Sequence, residues 1–285
     1  MKKILALGLL ICICACSSTQ SLTVSNSEDA IFTYGEVTYT KQDLFDAMRS
    51  NDYSSTLLSL MSSSFVNKEG ITQEELNALV DEELASYKES YGEYYEMMVS
   101  YYGGEEAMKE NLSQNVALTK LVELYAEQNI ETVAEEYKPL KAIILSFENE
   151  EEAKDVYTKL TTDKKELKEA LGEYTYGGST DSTLYTDKSS LDTGLKEALI
   201  GGAAGDYQYL ATTTTDSSTN EEKNVYYIYK ITDTDVKSFQ DEFIEYYISI
   251  TSDTTKIYNY FITKYNITMH DQNSYDLLSE TYEVK

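Results

Sequence analysis

The reading of this chain turns on "LKAIILS", residues 140–146. It follows Pro139, the only proline in the sequence, and an acidic helix start, "FENEEEAKDVYTKL", comes directly after it. A short apolar run between a proline and an acidic first turn reads as a buried strand feeding a helix. Before it the apolar residues recur at helical spacing, and after it alternating stretches appear. The stretch therefore marks where one kind of structure gives way to another.

Upstream, "AIFTYGEVTYT" alternates around Gly35 as a small hairpin would. Thr40 is placed to cap a helix over "KQDLFDAM", and a second helical stretch covers roughly residues 53–65. Thr72 and Glu75 form a capping-box pair. Leu76, Leu79, Val80, Leu84, Tyr87, Tyr91, Tyr94, Tyr95 and Met98 then fall in steps that put them on one face of a long helix ending at Gly103-Gly104. Another helix is expected from about Glu105 to Gln128, with Met108, Leu112, Leu118, Leu121, Val122 and Tyr125 inward. Residues 31–135 thus read as a helical region.

Downstream, helices are expected over residues 150–160 and 164–172, and "GGSTDSTLYTDKSS" reads as a turn-rich loop. Residues 191–199 form a short amphipathic helix, and "GGAAGD" is a turn. "YQYLATT" and "VYYIYKITD" are strands joined by the polar loop "TTDSSTNEEKN". The order β-α-α-α-β-β over residues 136–234 predicts a compact α+β domain with a mostly antiparallel sheet. From residue 235 the helical pattern returns, with Phe239, Phe243, Tyr246, Tyr247, Ile250, Ile257, Tyr260, Phe261 and Ile262 as its apolar stripe, and "NITMHDQN" is a candidate closing strand. Helical segments on both sides of an inserted α+β domain imply that residues 31–135 and 235–285 pack together.

Fifty acidic against 23 basic residues give a formal charge of −27. Such a chain repels nucleic acid and anionic headgroups, which excludes DNA- and RNA-binding classes. The 27 tyrosines with no tryptophan supply apolar area with a polar tip, suited to half-wet surfaces.

At the N-terminus Lys2 and Lys3 precede an unbroken apolar run over residues 4–15. It is shorter than the ~20 residues a membrane span needs and matches the apolar core of a secretory signal. The run closes on Ile13-Cys14-Ala15-Cys16, which resembles the lipobox of bacterial lipoproteins. The resemblance implies a signal peptide over residues 1–15 and a lipid anchor on Cys16. Residues 16–30, small and polar, would be a flexible tether. The cysteines are Cys12, Cys14 and Cys16, so cleavage would leave a domain without thiols or disulfides.

Several stretches in this order resemble the PrsA-type foldase lipoproteins of Gram-positive bacteria and the SurA-type chaperones with their split helical domain. "YGEVTYTKQDLFDAM" is similar to the family's opening hairpin and helix. "ITQEELNALVDEELASYKESYG" is similar to its long acidic helix. "LKAIILSFENEEEAKDVYTKL" and "VYYIYKITD" look like the first strand-helix pair and the last strand of a parvulin domain, and "NITMHD" like the terminal segment. The implied function is a lipid-anchored foldase on the outer face of a Gram-positive-type membrane, acting on unfolded or newly secreted polypeptides. Parvulins are peptidyl-prolyl isomerases. They lower a barrier of about 18–20 kcal/mol by seating proline beside a polar network.

In the family that network holds two histidines, and the seat uses a methionine and a phenylalanine. The matching positions here are Ile143 and Tyr227 for the histidines, and Leu191 and Leu195 for the seat. The only histidine, His270, lies outside this region. The expectation is a degenerate, catalytically weak or silent pocket. An active isomerase and a solute-binding surface lipoprotein are the alternatives, and pairing with a second copy stays open.

No cofactor or metal motif is expected. "ENEEE", residues 148–152, reads as a solvated first turn that suits the helix dipole. "GGAAG" lacks the strand-to-helix setting of a phosphate loop. His270-Asp271 comes with no nucleophile motif. "EYYEMMVSYY", residues 93–102, is apolar over more than one face. It leaves two readings open: core, or core plus an adaptable surface for unfolded chains.

Overall fold

The computed structural model describes residues 25–34, 37–42, 45, 53–215 and 222–285. Cys16, with the signal and lipid-anchor reading, lies outside the described residues, as do most of "KQDLFDAM" and the center of the loop at 216–221. In chain order the described elements are β1 (Ala30–Tyr34), β2 (Val37–Thr40), α1 (Tyr53–Lys68), α2 (Gln73–Tyr91), α3 (Tyr95–Tyr102), α4 (Glu105–Gln128), α5 (Ile130–Tyr137), β3 (Leu140–Phe147), α6 (Glu150–Thr161), α7 (Leu167–Leu171), β4 (Gly177–Tyr185), α8 (Thr193–Leu199), β5 (Gln208–Thr215), β6 (Glu222–Asp233), α9 (Gln240–Ile250), α10 (Thr255–Tyr265) and α11 (Gln272–Ser279). They form two units: Met1–Leu121 with Asp253–Lys285, and Val122–Ser252. The architecture is the expected α+β one, a helical unit drawn from both chain ends around an inserted sheet unit. Its divisions fall after 121 and 252 rather than after 135 and 234, so α9 belongs with the sheet.

In the helical unit β1 and β2 pair antiparallel as a hairpin. Thr72 caps α2 with the reciprocal Glu75 bonds of a capping box, and Leu76, Val80 and Leu84 turn inward. The helix does not run unbroken to Gly103. It stops at Gly92, whose φ of 48° and ψ of −118° suit glycine and strain other residues. A 3-10 turn, Gly92–Tyr94, leads into α3. The break shifts the helical register. Tyr95 is 4% exposed, whereas Tyr91 and Tyr94, expected inward, are 44% and 67% exposed. Tyr95 joins Val80, Leu84, Met108 and Leu112 in one apolar cluster, with Met98 and Val99 against it.

The C-terminal segment completes this unit. Phe65 of α1 stacks on Phe261 and Tyr265 of α10, each at 5.7 Å. The Ser62 and Tyr258 hydroxyls share a buried hydrogen bond of 2.7 Å. "NITMHDQN" is not a strand. Backbone bonds from Met269 and to Ile267 reach only Lys285, too few for a ladder. Asp271 instead caps α11, its Oδ2 accepting from the Ser274 N–H at 2.9 Å.

In the sheet unit the strand order is β4-β3-β6-β5, antiparallel throughout. The loop expected at 177–190 contains β4, so the order is β-α-α-β-α-β-β. Its glycines serve close approach rather than a turn. Gly178 lies at φ 90°, and a Cβ there would stand 2.2 Å from the Ile144 carbonyl oxygen. Beyond them the Ser/Thr-rich strand is largely exposed, as an edge strand can be. The second helix, expected over 164–172, shortens to α7 because Lys164 takes a positive φ. Helix α5, not anticipated, packs Tyr137 edge-on to Tyr247 at 5.4 Å. Ile250, expected inward, is exposed at the end of α9.

Strand alternation gives the sheet two faces. On one, Leu145, Phe147 and Ile228 pack with Ala153, Val156 and Leu160 of α6 and with Ala170 and Leu171 of α7. On the other, Leu140, Ala142, Ile144 and Ile231 pack with Leu195 and Leu199 of α8.

Candidate functional site

The α8 face carries the polar group that stands out chemically. Asp192 occupies the N-cap position of α8, with φ −54° and ψ 141°, yet its side chain caps nothing. Its carboxylate is turned toward the sheet instead. The Tyr227 hydroxyl of β6 donates to Asp192 Oδ2, and Thr214 Oγ1 of β5 donates to Asp192 Oδ1 at 2.9 Å. Burial, and then the Asp192 carboxylate, push the Tyr227 phenol well above the ordinary tyrosine value. The phenol therefore stays protonated and bound to the carboxylate. Leu191, Leu210, Tyr185 and Tyr229 pack against the cluster beside this pair.

Leu191, Leu195 and Tyr227 are brought together here. Ile143 is not. It packs on the opposite face, against the cluster of Leu145 and Phe147. On β3 the residue opposite Tyr227 is Ser146, and Ile144, two residues before it on the same face, stands opposite Tyr229. A shift of one residue along a strand moves a side chain to the other face, so an imidazole meant to share a face with position 227 belongs at 144 or 146, not at 143. Asp192 and Thr214 were missed by sequence reasoning. Asp192 has the signal of a helix cap, and its diversion to Tyr227 depends on how α8 lies against β5 and β6.

Chemically, this arrangement seats an apolar group and offers a carboxylate. Tyr227 and Thr214 each have one hydroxyl proton, and both protons are spent on Asp192. His270 is exposed, in the other unit, just before α11. Among the described residues no group of His, Cys, Asp and Glu is arranged to hold a metal ion. In "ENEEE", Asn149 caps α6 and Glu150 pairs with Lys154 at 2.6 Å, a solvated first turn. "GGAAG" is a turn, with Gly205 N–H bonded to the Ile231 carbonyl at 3.1 Å.

Two grooves lie away from this face. One, of about 600 Å³, is lined by Lys141, Thr232, Asp233, Lys237 and Glu242. Both of its lysines are ion-paired, Lys141 to Glu242 at 2.5 Å and Lys237 to Glu131 at 2.9 Å. The other, of about 580 Å³, lies in the helical unit over Asn77, Asp81, Glu106 and Lys109, with Lys109 paired to Asp81 at 3.0 Å.

No family model matches this chain, and no curated protein matches it. Among solved structures it is similar to the foldase protein PrsA of Streptococcus pneumoniae, at 18% identity and a TM-score of 0.44, over 88% of this chain and 99% of that one. It is similar to the peptidylprolyl isomerase PrsA of Bacillus cereus at 18% identity and a TM-score of 0.45, over 90% of this chain and 99% of that one. It is similar to PrsA of Bacillus subtilis at 18% identity and a TM-score of 0.38, over 91% of this chain and all of that one. Among the described residues no helix is long and apolar enough to cross a membrane. The chain is thus similar along most of its length, at low identity, to solved foldase proteins of the PrsA type.

Proposed function

We propose that this chain is an extracytoplasmic foldase of the holding kind, anchored through Cys16 and acting on unfolded or newly secreted polypeptides. In this reading the sheet unit binds apolar side chains but does not isomerise prolyl bonds. The observation that carries it is the α8 face. An apolar seat of Leu191, Leu195 and Leu210 is kept, while the polar network beside it has both hydroxyl protons committed to Asp192. Ile144, on the same face, has no donor. A prolyl bond twisting through its broken-resonance state is stabilized only by interactions stronger in that state than in the ground state, and the Tyr227 and Thr214 hydroxyls, held by Asp192, are not free to provide one.

Two measurements test the reading. Light scattering of an aggregating client should fall at near-stoichiometric amounts of the chain. No effect, together with thermal stabilization by a small solute, would favor a solute-binding lipoprotein. A protease-coupled assay on a short Xaa-Pro peptide should give no rate above background for the natural chain. A parvulin-level rate would overturn the silent-pocket part. The double variant Ile144→His with Tyr227→His should raise the rate if the pocket is emptied but intact, whereas Ile143→His with Tyr227→His should not.

A further inference from the structure

We infer that the outward side of α3 and the turn before it form a docking surface for basic, apolar-bearing segments of extended polypeptide. This rests on the foldase reading and specifies the chemistry of what is held.

The break at Gly92 sorts the residues of "EYYEMMVSYY" into two sets. Tyr95 is buried, and Met98 and Val99 pack on the cluster of Val80, Leu84, Met108 and Leu112. Tyr94, Met97 and Tyr101 fall at steps of three and four, one stripe on a helix surface, and are 67%, 65% and 86% exposed. Tyr91 and Tyr102 extend the exposed aromatic area at either end, at 44% and 38%. A short helix that spends this much aromatic and methionine surface on solvent is a binding surface by composition.

The charge around it decides what binds. Between Lys88, over the Tyr95 ring, and Lys109, paired with Asp81, stand Glu89, Glu93, Glu96, Glu105 and Glu106 with no further lysine or arginine. All five glutamates are exposed. Tyrosine faces and carboxylates side by side favor a cation that carries apolar neighbors. The same chemistry occurs inside this unit. Lys264 is paired with Glu69 at 2.5 Å, and its Nζ sits 5.6 Å from the Phe261 ring center and 5.5 Å from that of Tyr265. Lys88 lies 5.5 Å over the Tyr95 ring. The charge also argues against the other occupants. A second copy would set these five glutamates against themselves, and an anionic bilayer would be repelled.

The test uses the full chain and a fluorescent, unstructured peptide of leucine and lysine, beside versions with glutamine or glutamate for lysine. The lysine peptide should bind about tenfold more tightly than the glutamine one, and should weaken severalfold as salt is raised past the screening range. The glutamate peptide should not bind. Joint replacement Tyr94→Ala, Met97→Ala and Tyr101→Ala should weaken lysine-peptide binding about tenfold or more. Glu93→Gln with Glu96→Gln should remove most of the salt dependence. All of these residues are exposed, and an unchanged thermal midpoint verifies that the variants fold.

Equal binding of lysine and glutamine peptides, or undiminished binding by the triple variant, overturns the inference. So does a dimer, or capture by anionic vesicles, that the triple variant abolishes. Client aggregation measured in parallel separates this from the foldase reading. If the natural chain suppresses no aggregation, that reading fails whatever the peptide does. If it suppresses aggregation while the triple variant binds peptide unchanged, only the surface assignment fails.

Discussion

On the α6 face of the sheet, Leu145, Phe147 and Ile228 meet Ala153, Val156 and Leu160, a buried cluster that is apolar at its center and ringed by tyrosines, of which Tyr209 keeps its hydroxyl buried and unpaired. On the α8 face, Ala142, Ile144 and Ile231 meet Leu195 and Leu199, and a carboxylate with two hydroxyls lies alongside. The same strands supply both. The α6 face supplies stability and little else. The α8 face gives up some apolar burial to hold Asp192 between two strands. On the α8 face both oxygens of the Asp192 carboxylate are paired, and breaking either bond would leave a polar atom unpaired at a cost greater than the bond contributes.

Replacing Phe147 should break the comparison most visibly. It is fully buried and lies opposite Tyr226. Phe147→Ala should cost about 3–5 kcal/mol, through lost burial and the cavity left behind. The drop should appear in the urea unfolding midpoint of the sheet unit. Gly178→Ala comes next. Its positive φ and the approach of its added carbon to the Ile144 oxygen should cost about 2 kcal/mol and loosen the edge strand β4. Hydrogen exchange should then rise in β4 before it rises in β6.

Tyr227→Phe tests the α8 face directly. It removes one bond to a charged acceptor but leaves Thr214 on Asp192, in a partly exposed setting. About 1 kcal/mol is expected. A double-mutant cycle with Asp192→Asn should show coupling of similar size, and additive losses would mean the pair is not coupled.

The same pair predicts a dependence on pH. The folded-state pKa of Tyr227 is raised. Its contribution is therefore fully present below the unfolded tyrosine value near 10 and is lost as pH rises above it, because the unfolded chain gives up the proton first. Tyr265, pushed up to about 12 by burial and by its hydrogen bond to Glu69, adds a loss of the same sign in the helical unit. Between pH 8 and pH 11, on the order of the window these shifts set, the thermal midpoint of Tyr227→Phe should fall less than that of the natural chain. Least of all, Lys154→Ala on the outer side of α6 should leave the midpoint unchanged. Its pair with Glu150 leaves the two side chains 60% and 47% exposed, and such pairs contribute little.

Local patterns were legible where one element decides its own structure. The capping box at Thr72 and Glu75, the strand at 140–146 and the alternating strands at 207–213 and 225–233 are written in spacing alone. The edge strand β4 was not legible. Its serines, threonines and paired glycines read as a loop, and only the neighboring β3 backbone turns them into a ladder. The break at Gly92 was likewise hidden. Apolar spacing continues across it, and the residue's backbone angles, not its neighbors' hydropathy, end the helix.

By itself the sequence determined the α+β class, the helical character of the segments flanking the sheet unit and the absence of any histidine from the sheet unit. These follow from composition and period, which are properties of the chain as written. Only the tertiary structure decided that Ile143 faces α6 while Ile144 faces α8. It alone decided that Asp192 leaves its helix cap for Tyr227, and that Tyr94, Met97 and Tyr101 face solvent. Each of these depends on strand register, helix docking or a single backbone angle, and those are set by partners distant in sequence rather than by the residues themselves.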